Sequence, residues 1–135
     1  MMKLLLDTHI FLWYIAGEER INEHILALIR DPQNAVYLSV ISEWEVIIKY
    51  QLGRLPLPVP PDQYIPEQRR RHRIAALSLE ENDVSALMGL PGLHKDPFDR
   101  MLIAQAIHQD MILVTVDKII QVYTGSTALK TFFVT

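Results

Sequence analysis

The sequence predicts an α/β domain, a three-layer α/β/α sandwich around a mainly parallel sheet, with residues 1–135 forming one unit. Three observations predict it. The apolar runs LLL (4–6) and MILVTV (111–116) are unbroken and strand-sized, as suits strands covered by helices on both faces. Strand-like and helix-like segments alternate along the chain, which implies parallel strands joined by helical crossovers. Both runs also end on an aspartate, Asp7 and Asp117, at the edge where open α/β sheets bind ligands.

The elements follow in order. Residues 3–7 read as the first strand, and HIFLWYIAG as a short helix ending near Gly17. In INEHILALIRDP, Ile21, Ile25, Leu28 and Ile29 share a helical face and Pro32 ends it. AVYLSV (35–40) is a second strand, after which Ser39 or Ser42 caps a helix running to Gly53. RLPLPVPPDQYIP holds five of the eight prolines and reads as an extended loop, with a helix starting near Pro61. RRRHR (69–73) closes that helix, IAALSL is a third strand, and EENDVSALMGL is a helix. DPFDRMLIAQAIHQD is a well-marked helix: Asp96 caps it, Pro97 opens its first turn, and Met101, Leu102, Ala104, Ala106 and Ile107 bury much of it. MILVTVD is the fourth strand, followed by a short helix near DKIIQVY and a last strand, KTFFVT.

Bulk properties narrow the function. A chain of 135 residues, half of them hydrophobic, buries a real core but is too short for two domains. A net charge of -3 excludes a mostly basic nucleic-acid coat, yet allows an enzyme that meets nucleic acid through a local basic patch. The absence of cysteine excludes disulfides, thiolate metal sites and cysteine nucleophiles, and suits a reducing cytoplasm. The opening MMKLLLDTHIFLWYIAG imitates a signal peptide only faintly, because Asp7 and His9 break the apolar run. The expected location is the cytoplasm.

The carboxylates carry the chemistry. Asp7 and Asp117 end strands, Glu45 lies in the first turns of the helix after the second strand, and Asp96 and Asp99 start the helix before the fourth. Each has an ordinary explanation. Glu45 stands four residues before Lys49, a favourable helical ion pair worth about 0.2–0.5 kcal/mol. Asp96 suits an N-cap, Asp99 a helix dipole, and Asp117 a turn. Taken together these explanations are strained, because they gather acids at one edge with no cation nearby. Clustered carboxylates are relieved by protonation or by a hard cation, and oxygen-only donors suit Mg²⁺ or Mn²⁺. Apolar neighbours all round make the Glu45 helix look mostly buried. Thr115, two residues before Asp117, shares its strand face and offers a hydroxyl for a bound water.

LLLDTHIFLW, ISEWEVIIKYQLGRL, HKDPFDRMLIAQA and ILVTVD, in this order and spacing, resemble a PIN domain, and more narrowly the VapC-like toxin ribonucleases of toxin–antitoxin pairs. The resemblance covers almost the whole chain. It implies metal-dependent endoribonuclease activity with Mg²⁺ or Mn²⁺ as cofactor. The family's acidic quartet falls on Asp7, Glu45, Asp99 and Asp117, and its strand Ser/Thr on Thr115. Asp96 stands outside the quartet. The resemblance also implies an RNA substrate, a small antitoxin partner and a homodimer, with Ile10, Trp13, Ile25 and Leu28 as a contact region.

Other features weigh less. RRRHR is the main cationic run, read as a solvated helix end before an RNA anchor. The histidines show no metal-ligand spacing; His9 and His94 merely adjoin carboxylate motifs. No phosphate-binding glycine loop is present. A haloacid-dehalogenase-like phosphatase would want an aspartate two residues after Asp7, where His9 stands. A response-regulator receiver would want an acidic pair beside the first strand, which is not evident. A catalytically silent binding module on the same fold is the remaining alternative.

Overall fold

The computed structural model describes residues 1–134. Along the chain run β1 (Lys3–Leu6), α1 (Thr8–Ala16), α2 (Glu23–Arg30), β2 (Ala35–Ser39), α3 (Val40–Gln51), α4 (Pro61–Arg71) and β3 (Ala75–Leu77). There follow α5 (Glu81–Ser85), α6 (Pro97–His108), β4 (Ile112–Thr115), α7 (Lys118–Val122) and β5 (Lys130–Phe133). Short 3₁₀ turns, Ala86–Gly89 and Tyr123–Gly125, continue α5 and α7. The strands form one sheet in the order β3-β2-β1-β4-β5, every pairing parallel.

β1 occupies the centre because it can be buried on both faces. Leu4, Leu5 and Leu6 are all fully buried. Their side chains alternate, as strand geometry demands. Leu4 and Leu6 pack with Ile10, Phe11, Ile25, Ile29 and Val46 under α1, α2 and α3. Leu5 points the other way, joining Met101, Leu102, Leu113, Ile120 and Tyr123 under α6 and α7. These two cores make the three layers. Burial stabilises each leucine by about 1.5–3 kcal/mol.

Half of the partner face expected on the first helices is turned inward. Ile10 and Ile25 lie in the core, and Trp13 and Leu28 pack against it. Leu4 and Leu6 must be covered, and α1 and α2 are the helices that cover them.

Local signals explain most element ends. Gly17 adopts a left-handed φ of 69° and closes α1, and the Asn22 side chain caps α2 by accepting from Ile25 N–H. Of the two serines considered for α3, Ser39 is the cap; Ser42 sits inside the helix and meets Thr8. The helix expected to start near Pro61 does so, and it takes Pro66 into α4. Ile65 anchors that turn in the core. The third strand is shorter than IAALSL because, at the sheet edge, it pairs only with β2. The last strand ends at Phe133, and the final residue of KTFFVT lies outside the described residues. Among the described residues no helix is long and apolar enough to cross a membrane.

The path of the chain positions the site. It steps outward from β1 to β3, then returns across β1 to β4 and β5. The order reverses between β1 and β4, and such a reversal opens a crevice at the carboxyl ends of the two strands. Asp7 and Asp117 follow those two strands.

Candidate active site

Four segments deliver carboxylates to this edge. Asp7 follows β1 and stands at the N-cap position of α1. An aspartate there ordinarily spends its side chain on the helix's first N–H groups. Asp7 makes no such bond. Its Oδ2 instead accepts from the Thr115 hydroxyl at 2.7 Å. The same Thr115 oxygen accepts from Asp117 N–H at 3.0 Å, so one buried threonine ties both strand ends together. Thr115 was read as a holder of water; its hydroxyl is engaged with the two aspartates.

Asp117 lies beyond the end of β4, at the N-cap of α7. Its Oδ1 accepts from Ile119 N–H at 2.8 Å, leaving Oδ2 to face His94 Nε2 at 2.9 Å. Asp99 comes from the first turn of α6, and its Oδ2 lies 3.0 Å from the same His94 nitrogen. The topology of a helix leading into a strand left the approach of Asp99 open; the geometry brings it beside Asp117. Asp96 does something else. Its Oδ1 accepts from Phe98 and Asp99 N–H at 2.8 and 3.3 Å, which is the work of a cap.

Glu45 enters from the second turn of α3 and is buried. Its Oε2 pairs with Lys49 Nζ at 2.8 Å, and its Oε1 accepts from the Thr8 hydroxyl at 2.8 Å. The ion pair read from the i,i+4 spacing is therefore present, but on an inward carboxylate. The edge does carry one cationic partner, Lys49 on Glu45, and an imidazole, that of His94, beside Asp99 and Asp117.

The electrostatics record the crowding. Burial pushes the Asp7 carboxyl above its ordinary range, with Glu45 and Asp117 adding to the effect and Thr115 and His9 opposing it. Asp99 is pushed up to about 7, by burial first and then by the charges of Asp7 and Asp96, while His94 works the other way. Asp117 sits below its ordinary value: burial resists ionisation, but bonds from His94 and the Ile119 backbone outweigh it. The starts of α1, α6 and α7 also face this edge, and the positive ends of their dipoles favour negative charge.

The donor set fits a hard divalent cation. His94, Asp99 and Asp117 each offer a ligand atom, and these atoms lie within 4.8 Å of one another. The other donors near them are carboxylate oxygens, and oxygen-rich sets suit Mg²⁺ or Mn²⁺. Burial first, and then the charges of Asp7 and Asp96, raise Asp99 to about 7, and a nearby cation would offset both.

Two features were not read from the sequence. Trp44, expected within a mostly buried helix, is 55% exposed and packs edge-on against Phe98 at a centroid distance of 5.1 Å. The pair bridges α3 and α6 beside Glu45 and Asp99. Asp83, fully buried, takes hydrogen bonds from His108, Gln105, Gln109 and the Glu80 backbone. Burial resists its charge, yet those bonds hold it below the ordinary carboxylate value. Every partner is internal, so Asp83 fastens α5 to α6.

The basic run does not flank the acids. Arg71, His72 and Arg73 come just before β3, at the amino edge of the sheet, and with Arg30 and Tyr14 they line a cavity of about 370 Å³. The acidic crevice lies at the opposite edge.

A family model for the PIN domain matches residues 4–125. The chain belongs to the PIN domain family. Among curated relatives, Ribonuclease VapC16 of Mycobacterium tuberculosis is 41% identical over 54 residues, which is 40% of this chain and 38% of that protein. The match thus spans about two fifths of the relative's length. Among solved structures, VapBC2 from Rickettsia felis bound to a promoter DNA fragment superimposes with a TM-score of 0.69 at 16% identity, over 98% of each chain. VapBC-1 from nontypeable Haemophilus influenzae gives 0.65 at 21%, also over 98% of each. DNA-bound VapBC from Salmonella typhimurium gives 0.67 at 15%, over the whole of both. At these identities the likeness is one of fold.

Proposed function

We propose that this chain is a Mg²⁺- or Mn²⁺-dependent endoribonuclease acting as the toxin of a toxin–antitoxin pair. One observation carries the reading: acids from four separate segments meet at the carboxyl edge, and Asp7 among them is buried with its side chain kept free of the helix it precedes. The 41% identity to a ribonuclease over part of the chain supports the choice of reaction.

Asp7, Glu45, Asp99 and Asp117 would hold the cation. When bound, a divalent cation supplies an activated water and charge neutralisation for in-line displacement at a phosphodiester. The chain's own residues prepare the place. Thr115 orients Asp7, Lys49 and Thr8 fix the two oxygens of Glu45, and the Ile119 N–H anchors Asp117. Trp44 and Phe98 at the rim offer aromatic surface to an unstacked base, the usual target of RNA readers. A small antitoxin covering the acidic edge, and a homodimer, complete the proposal. The VapBC assemblies sharing this fold support the antitoxin partner.

The test is incubation of the purified chain with structured RNA in Mn²⁺, in Mg²⁺ and in EDTA, beside Asp7→Asn. Internal cuts should appear with either cation and vanish with EDTA and in the variant. Cleavage that persists in both would overturn the assignment. No cleavage with either cation, in a chain harmless to cells, would favour a silent binding module.

A further inference from the structure

His94 is the residue that the acids share. Its side chain is only 11% exposed, and Nε2 lies 3.0 Å from Asp99 Oδ2 and 2.9 Å from Asp117 Oδ2. On the far side of the ring, Nδ1 accepts from the Asp96 backbone N–H at 3.2 Å. A backbone N–H can only donate, so Nδ1 is the bare nitrogen and Nε2 carries the proton. That N–H bonds Asp117 and lies beside Asp99, two carboxylates that would otherwise repel.

The segment bearing His94 is itself clamped. His94 N–H donates to the Tyr123 hydroxyl at 2.8 Å, and that hydroxyl donates to the Pro91 carbonyl at 2.8 Å. Arg100 Nη1 donates to the same carbonyl at 3.0 Å. Tyr123 is fully buried in the core beneath α6 and α7. The ring is therefore referenced to the sheet rather than to a loose loop.

We infer that His94 is a positioning residue of the acidic site: its Nε2–H sets the separation of the Asp99 and Asp117 carboxylates, readying them for a divalent cation. This rests on the metal-dependent reading above. His94 needs no bond to the ion. It donates to Asp117 Oδ2 and stands 3.0 Å from Asp99 Oδ2, leaving Asp99 its other oxygen, while Asp7 and Glu45 add theirs. Groups that orient metal ligands in this way commonly change metal affinity about 10- to 100-fold when removed.

The experiment measures Mn²⁺ affinity by calorimetry and by electron paramagnetic resonance for the wild type, His94→Ala and His94→Gln. The glutamine amide places an N–H near the position of Nε2. His94→Ala should bind Mn²⁺ about 10- to 100-fold more weakly, and His94→Gln should recover most of the loss. ¹⁵N spectra of the labelled imidazole should show the proton on Nε2 both without and with Mg²⁺. Unchanged or tighter binding by His94→Ala would show instead that the histidine competes with the ion. Loss of the Nε2 proton on adding Mg²⁺ would show a direct ligand. Should His94→Ala fail to fold, the glutamine variant and the spectra still decide. A wild type that takes up no Mn²⁺ overturns this inference together with the metal reading. Mn²⁺ uptake weakened as expected, in a chain that cuts no RNA, leaves His94 in place and removes only the nuclease.

Discussion

The Thr115 hydroxyl stands 2.7 Å from Asp7 Oδ2, although 108 positions separate the two residues in the chain. It is the bond by which β4 sets the direction of the carboxylate after β1. Thr115→Val keeps the shape but removes the donor, leaving a buried acceptor short of a partner. A loss of about 1–3 kcal/mol in urea unfolding is expected, with a strong fall in RNA cleavage. Thr115→Ser should restore both. A valine variant as stable and active as wild type would show that the bond is incidental.

Cation binding should be visible in the melting temperature. A ligand that binds only the folded state adds RT ln(1 + [L]/Kd), about 2.7 kcal/mol at 100-fold over Kd. Mn²⁺ should raise the melting temperature of the wild type and leave Asp7→Asn nearly unmoved. Equal shifts in the two proteins would place the binding elsewhere.

The two aspartates of DPFD should separate cleanly. Asp96 caps α6 through Phe98 and Asp99 N–H, and asparagine caps about as well. Asp96→Asn should fold and cleave nearly as wild type, while Asp96→Ala should lose about 1 kcal/mol. Asp99→Asn should abolish cleavage and stabilise the metal-free fold. The reverse pattern, with Asp99→Asn active and Asp96→Asn dead, would exchange their roles.

Without metal, stability should fall as pH rises from about 4 to about 7. Asp99 is pushed up to about 7 in the fold, above its unfolded value near 4. Between those values the folded state holds a proton that the unfolded chain has released, so raising the pH favours unfolding. Asp7, also raised, acts in the same direction. Asp83 and Asp117 are lowered, so their contribution is intact above about 4 and is lost only in stronger acid. His72, lowered by burial and by Arg71 and Arg30, acts oppositely just below its unfolded value of 6.5. The difference between wild type and Asp99→Asn in EDTA therefore isolates Asp99, and a flat difference across this window would refute the assignment.

Burial of the strands was legible because LLL and ILV are apolar on both parities, and the helices because Gly17, Pro32, Ser39 and Asp96 mark their ends. Strand order was not legible, since apolar runs carry no record of which neighbour they choose. Asp7 and Asp117 could be placed at the edge because strand ends imply it. The position of Asp99 depends instead on how α6 packs. His94 was passed over because the relevant spacing is in space: its partners lie 5 and 23 residues away. Its place at the head of HKDPFD was the available signal. Trp44 was misjudged because apolar character marks a rim aromatic and a core residue alike.

The reversal of strand order has a consequence in time. A chain made from its amino end completes β1, β2 and β3 with Asp7 and Glu45 already attached. Yet the strand that lies against β1 on its other side is synthesised after all three. Until β4 emerges and docks, β1 has an open flank, and Asp7 lacks both the Thr115 hydroxyl and the acids that follow Leu90. The nascent chain therefore carries half a site through most of its synthesis. The acidic cluster is completed late, when β4 takes its place beside β1.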